Sequence, residues 1–290
     1  MIRSIRYARV IAAFIGFAHV TGVSVVEAQV EESAFQAVQL DPSARHAALA
    51  GMNPVLSGRG AGSLYVNPAL LTESDHGSVD VSYLNHVSDL SAGWASHARH
   101  VDGFGIVAGG IRYMSYGDIE RADESGNRLG SFSASDVAMT AGLSRRAGNH
   151  VRYGGALSYL RSSIDAEAAS ALVLDAGVVY RADSSRMTFA ASVHNLGATI
   201  SSIGARSDAL PFDVRLGVSR KLEHLPLLLS IGAYRLDDLD GGPDDASTLE
   251  NMLYHANLGA EFQFSDSFQI RFGYSQRRHD ELKIKTRLDL

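Results

Sequence analysis

Val137-Ala138-Met139-Thr140-Ala141-Gly142-Leu143-Ser144 carries apolar side chains at its odd positions and small or polar ones at its even positions. A period of two belongs to an extended strand, whose successive side chains leave opposite faces; a helix repeats its face at three and four residues instead. One face of this stretch is therefore greasy and the other mild. The pattern spreads in both directions. Met187, Phe189, Ala191 and Val193 alternate with Thr188, Ala190, Ser192 and His194, and Leu172, Leu174, Ala176, Val178 and Tyr180 stand against Asp175 and Arg181. Val214, Leu216 and Val218 alternate with Arg215 and Ser219. Leu258, Ala260, Phe262 and Phe264 do so with Asn257, Glu261 and Gln263, and Phe268, Ile270, Phe272 and Tyr274 with Gln269, Arg271 and Ser275.

From Gly77 onward this rhythm predicts about twelve strands, at 77–84, 89–99, 103–117, 131–146, 150–164, 170–182, 186–197, 211–221, 225–236, 253–264, 268–277 and 282–290. Polar turn material separates them, as at Arg146-Ala147-Gly148-Asn149, Ala182-Asp183-Ser184-Ser185 and the long acidic stretch 237–245. The expected fold is all-β. Alternating strands of roughly nine to eleven residues joined by polar turns suit a transmembrane antiparallel β-barrel, because hydrocarbon cannot satisfy an open sheet edge. A soluble β-sandwich also alternates, but more than 200 residues of regularly spaced strands exceed one sandwich, and the polar face is rich in Gly and Ser. Trp94 is the only tryptophan, so interfacial girdles would fall to Tyr83, Tyr113, Tyr116, Tyr159, Tyr180, Tyr234 and Tyr274 near strand ends.

The 290 residues include no cysteine, which excludes disulfides, thiol catalysis, thiolate metal sites and a lipid-anchored N-terminal cysteine. Residues 1–28 have a basic start (Arg3, Arg6, Arg9), an apolar middle from Val10 to Val26, and small residues at Val26 and Ala28, which reads as a signal peptide cleaved between Ala28 and Gln29. A single membrane anchor is the alternative, although His19 and Thr21-Gly22 interrupt its core. Cleavage removes three arginines and one glutamate, leaving 23 basic against 31 acidic residues, a charge of −8. Such an acidic product argues against nucleic acid as a partner.

Residues 29–76 lack the two-residue rhythm and read as a helical hatch or plug ahead of a barrel at 77–290. Pro42 to Gly51 has Ala and Leu at helical density and a glycine stop. In Leu64-Tyr65-Val66-Asn67-Pro68-Ala69-Leu70-Leu71, Asn67 can cap a helix that opens on Pro68 and ends near Ser74. Too short to span and too apolar to float free, this segment is expected to fold into the lumen.

Catalytic and metal chemistry find little support. His97 and His100 in Ser96-His97-Ala98-Arg99-His100 would point to opposite faces of a strand, so a solvated turn is expected there and no metal site. Ser74, Asp75 and His76 match a triad in letters only. The carboxylates of Gly117 to Asn127 lack calcium-loop spacing and read as a wet hairpin extension, and Arg277 to Glu281 reads as a turn. No enzyme activity and no cofactor are expected.

Asn67-Pro68-Ala69 before the strands resembles the hatch of the long-chain fatty acid transporter superfamily of outer-membrane barrels. Ser43 to Gly51, Gly130 to Asp136, His194-Asn195-Leu196-Gly197, Leu210-Pro211 with Arg215-Leu216-Gly217, and Lys221 to Leu227 resemble the PorV/PorQ branch of type IX secretion barrels, the last on the PorQ-like side. The likeness runs from about residue 38 to 290. It implies about fourteen strands, two more than the sequence shows, so the chain is expected to lack a C-terminal piece. It also implies localisation in the cell outer membrane, against outer-membrane lipid. The implied function is non-enzymatic anchoring of partners in the surface attachment complex, namely a PorZ-like surface protein, a PorU-like sortase and a PorV-like barrel, through loops near 118–130, 200–210 and 237–252. The wider superfamily implies an alternative, a transporter for small hydrophobic molecules with a movable hatch and a greasy pocket.

Overall fold

A computed structural model of the chain describes residues 35–56, 60–85, 89–123, 125–203, 209–239, 247–265 and 267–281. Eleven strands follow one another: β1 Val79–Asn85, β2 Ser91–Val101, β3 Gly105–Ala122, β4 Arg128–Ala147, β5 Val151–Ile164, β6 Glu167–Ala182, β7 Met187–Ser201, β8 Asp213–Lys221, β9 Leu227–Ala233, β10 Ala256–Gln263 and β11 Gln269–Ser275. They form one sheet in which each strand pairs antiparallel with its neighbour in sequence. Among the described residues three short α-helices accompany them: α1 Ala44–Ala48, α2 Thr248–Tyr254 and α3 Gln276–Glu281. No described helix is long and apolar enough to cross a membrane.

The alternation read in the sequence sets which side of the sheet is covered. Ala138, Thr140 and Ser144 are buried while Met139 is 56% exposed, and Val173 is 1% exposed between Leu172 at 44% and Leu174 at 46%. On β7, Ala190, Ser192 and His194 are buried and Phe189 faces out. Polar and small side chains therefore fill the covered face and apolar ones stand on the open face, the reverse of a water-soluble sandwich, which seals its apolar faces together.

What covers the polar face is the segment ahead of β1. Its residues meet the strands in order: Gly62 N–H donates to Asp80 on β1, the Tyr65 hydroxyl donates to the Ala95 carbonyl on β2, and Asn67 Nδ2 donates to the Ala191 carbonyl on β7. Asn53 Nδ2 donates to Asn257 on β10, and Ala50 lies against Gly273 on β11. Laid flat at about 4.8 Å per strand, eleven strands would be roughly 50 Å wide, too wide for one compact segment to touch both edges. The sheet is curled around it. Asp80 and Ser82 of β1 and Gln269 and Arg271 of β11 line one common cavity, but the two edges are not paired among the described residues, so the sheet is consistent with a β-barrel and is not closed.

The expected twelfth strand, 282–290, lies outside the described residues. Several other expectations are corrected. The strand expected at 268–277 stops at Ser275, and the supposed turn at Arg277 to Glu281 belongs to α3. The strand expected at 225–236 shortens to Leu227–Ala233, and that at 253–264 starts at Ala256 because α2 precedes it, with a capping box in which Ser247 and Glu250 bond each other's backbone N–H groups. His97 and His100 lie on β2, not in a turn. Tyr116 and Tyr234 turn inward, hydrogen-bonded to Asp136 and Ser275, so they are lost to any outer girdle.

Candidate functional site

The covered face is built for close approach. A methyl group on Gly110, Gly142, Gly154, Gly177, Gly217, Gly232, Gly259 or Gly273 would come within 3 Å of another atom, in nearly every case one belonging to the N-terminal segment. Three cross-strand pairs, Gly154 with Gly177, Gly217 with Gly232 and Gly259 with Gly273, set these gaps side by side. Small residues on this face thus make room for side chains of the segment, and at Gly154 and Gly273 for its backbone, as glycine in a strand interior commonly does.

Asn67 and Pro68 sit at the centre of that contact. Asn67 caps a single 3-10 turn, Pro68–Leu70, with Oδ1 accepting from the Ala69 N–H at 3.0 Å. The helix expected to run to Ser74 is two separate turns: Leu71 is extended, and Thr72 opens Glu73–Asp75 with a capping box. Among the described residues the segment is a chain of such turns with one five-residue α-helix, not a helical body. Sequence reasoning missed its twin. Asn53-Pro54-Val55-Leu56 precedes Asn67-Pro68-Ala69-Leu70 with the same Asn-Pro-x-Leu pattern and the same local bond, Asn53 Oδ1 accepting from the Val55 N–H at 3.2 Å. Asn67 Nδ2 donates to the Pro54 carbonyl at 3.2 Å, joining the two motifs. The signal was present as a four-letter repeat.

Ion pairs pin the segment to the wall. Arg45 on α1 grips Glu261 of β10 through Nε at 2.7 Å and Nη2 at 3.0 Å, a two-point fork, and Arg271 of β11 donates to the same carboxylate at 2.6 Å. Asp41 pairs with Arg278 of α3 at 2.7 Å, and Glu73 pairs with Arg152 of β5. His46 is buried. Its Nε2 faces the Leu56 carbonyl at 2.7 Å, which can only accept, so the proton sits on Nε2 and Nδ1 accepts from the Ser43 hydroxyl at 2.9 Å. Burial lowers the pKa of His46, partly offset by the Leu56 hydrogen bond, and keeps the ring neutral. Burial likewise pushes the Tyr65 phenol up to about 12 against the pull of Arg112, whose guanidinium lies 4.7 Å from the ring centre.

A second polar cluster forms where β7 breaks its rhythm. Asn195 has a φ of 56°, and the pairing with β6 shifts register between Leu174 and Ala176, so His194 and Asn195 are both buried. The bulge aims the Asn195 N–H at Asp175 Oδ1, 2.7 Å away, and its side-chain amide at the Pro211 carbonyl. Strict alternation could not foresee this, although His194-Asn195-Leu196-Gly197 marked the place. Ser192 Oγ lies 2.8 Å from His194 Nε2, but the Nδ1 to Asp175 separation is 3.9 Å and Ser192 is 3% exposed. A sealed hydroxyl with a loosely held histidine does not make an acyl-transfer site.

Two cavities flank the segment. One, of about 710 Å³, lies between β1 and β11 and is lined by Arg45, Asp80, Lys221, Glu261 and Arg271 among others; the other, of about 790 Å³, shares Asp80 with it and is lined by Glu73, Asp75, Arg146, Arg152 and Arg181. Both are polar. His97 Nδ1 donates to the Ser78 carbonyl, the His100 N–H donates to His76 Nδ1, and no group of three metal-ligating side chains occurs among the described residues. Asp75 is occupied in the capping box. Ala28 and Gln29, the expected cleavage site, lie outside the described residues. Of the charged stretch from Gly117 to Asn127, residues 117–122 continue β3, and beyond them the Asp123 carboxylate takes the backbone N–H groups of Ser125 and Asn127. Comparison with known proteins finds no family model that matches the chain and no curated protein similar to it.

Proposed function

We propose that this chain is an outer-membrane β-barrel without catalytic activity whose lumen is plugged by its own N-terminal segment, and that it anchors partner proteins at the cell surface. The observation that carries the reading is the inverted sheet: apolar side chains face out on strand after strand while charge and small polar groups lie within. Lipid accepts the first arrangement, and a hydrogen-bonded interior stabilises the second. Two further features favour an anchor over a transporter for small hydrophobic molecules. Both cavities are lined for the most part by polar and charged residues where a lipid carrier needs a greasy pocket, and three ion pairs, Arg45–Glu261, Glu73–Arg152 and Asp41–Arg278, hold the segment where a carrier needs it to move.

The docking surface is at the end where β3 to β7 overrun the membrane. β4 has 20 residues, about twice what a tilted span needs. Leu129 and Ile200 on these extensions are exposed, as are Leu249, Met252 and Leu253 on α2. The resemblance to the PorV/PorQ branch supplies the identity of the partners: the PorZ-like, PorU-like and PorV-like components of the type IX attachment complex. Fractionation tests the first half, since the protein should stay with outer membranes until detergent is added. Affinity capture from detergent extracts tests the second, and recovery of the PorZ-like protein with wild type but not with a Leu249→Asp, Met252→Asp variant is the expected result. Uptake of a labelled fatty acid into vesicles carrying the protein would instead favour transport.

A further inference from the structure

Three arginines on adjacent strands share the inner face at the end of the sheet where short turns join β4 to β5 and β6 to β7. Arg146 stands directly opposite Arg152 in the β4–β5 ladder, and Arg181 lies two residues beyond Val179, the β6 partner of Arg152. Like charges at opposite and diagonal positions of a ladder repel, so the arrangement costs free energy unless an anion sits among them. Arg146 and Arg181 are exposed, but Arg152 is only 8% exposed, so solvation does not relieve the repulsion fully.

The chain supplies one carboxylate for the three. Arg152 donates to the Leu71 carbonyl at 3.2 Å and pairs with Glu73. Arg146 and Arg181 have no side-chain hydrogen bond or ion pair among the described residues. The other acids of this cavity are committed elsewhere: Asp75 accepts from Gly60 N–H, Thr72 N–H and the Thr72 hydroxyl, and Asp80, on the far wall, accepts from Gly62 N–H. The cavity of about 790 Å³ has ample room for a phosphate.

We propose that this cavity, between residues 60–75 and the turn ends of β4, β5 and β6, binds a phosphate group through Arg146, Arg152 and Arg181, with the Glu73 carboxylate as the built-in competitor that the ligand displaces. A tetrahedral dianion offers enough acceptor oxygens for three guanidiniums, whereas a carboxylate offers two. The phosphate can belong to a soluble molecule or to a lipid headgroup at the adjacent leaflet; only the lipid source rests on the membrane reading, and the site itself is independent of any anchoring role.

The test is calorimetric titration of the full chain in neutral detergent, with inorganic phosphate in one arm and dihexanoylphosphatidic acid, a phosphate monoester kept below its micellar concentration, in the other, at constant ionic strength. Saturable binding in either arm is expected, and the arm that binds identifies the source. Arg146→Gln with Arg181→Gln should weaken it at least tenfold. Glu73→Gln should tighten it several-fold, an effect that a purely structural Glu73 would not produce. Absence of saturable binding in both arms for wild type and Glu73→Gln, with the strand signal in circular dichroism intact, would overturn the site. So would unchanged affinity in the double arginine variant.

Discussion

Asn67 spends one side-chain amide on three parts of the chain: the Ala69 N–H, the Pro54 carbonyl and the Ala191 carbonyl on β7. Replacing it by alanine strands buried backbone groups, and Asn67→Ala should cost about 1–3 kcal/mol, read as a lowered melting temperature in detergent. Gly177 faces it so closely that a Cβ would collide with Asn67 Oδ1, whereas a Cβ on outward-facing Gly155 would meet only an ordinary contact at 3.6 Å. Gly177→Val should therefore destabilise the protein by about 1–3 kcal/mol and Gly155→Ala by far less. His46 adds a pH dependence. Its folded pKa lies below the ordinary 6.5 because burial outweighs the Leu56 hydrogen bond, so the unfolded chain binds more protons in that window. Stability should be full above pH 6.5 and fall as the pH drops toward the lowered folded value, with the slope reduced in His46→Gln. Glu73 acts in the same direction at lower pH. Partial burial raises its pKa, but its own backbone N–H and the Arg152 and Arg146 guanidiniums outweigh that, so its ionic contribution is present above 4.5 and is lost as the pH falls through the depressed folded value.

At the scale of the strand, what matters is phase. Leu157 on β5 is 54% exposed between buried Ala156 and Ser158. If that face meets lipid, Leu157→Arg should cost about 2–4 kcal/mol near the bilayer midplane, measured by folding into vesicles. The same change in a soluble protein would cost little, so the experiment separates the two environments. Phase also explains what the sequence could and could not yield. Alternation located all eleven described strands to within a few residues, because one side of each is covered and a one-residue slip would turn every side chain over. It failed where a bulge resets it, at Ser115 to Asp118 and at His194-Asn195, and where a chain end carries polar residues that suit either a turn or a helix, as at Arg277 to Glu281.

For the whole molecule, the two ends of the sheet differ. Turns of a few residues join β2 to β3, β4 to β5, β6 to β7, β8 to β9 and β10 to β11 at one end, while the opposite end carries the β3–β4 hairpin tip, the connection 202–212 and the connection with α2. Outer-membrane barrels place short turns in the periplasm and long loops outside. Trypsin added to intact cells should therefore cut at Arg121 or Arg128 of the hairpin tip, and reach Arg186 or Lys221 only after the outer membrane is permeabilised; cleavage in the reverse order would invert the proposed topology. Arg45, gripped by Glu261 and 20% exposed, should resist in both cases.

By itself the sequence determined the strand class, the segment order and the presence of an asparagine cap at Asn67, because each depends on neighbours two or three residues away. It also carried the Asn-Pro-x-Leu repeat. Only the tertiary structure decided which partners those groups meet: Glu261 under Arg45, Asp175 under the bulge, and three arginines around Glu73. These contacts join residues separated by as many as 216 positions, as Arg45 and Glu261 are. No local periodicity encodes such a pairing. It arises when the sheet curls and its small residues admit the segment that lies within.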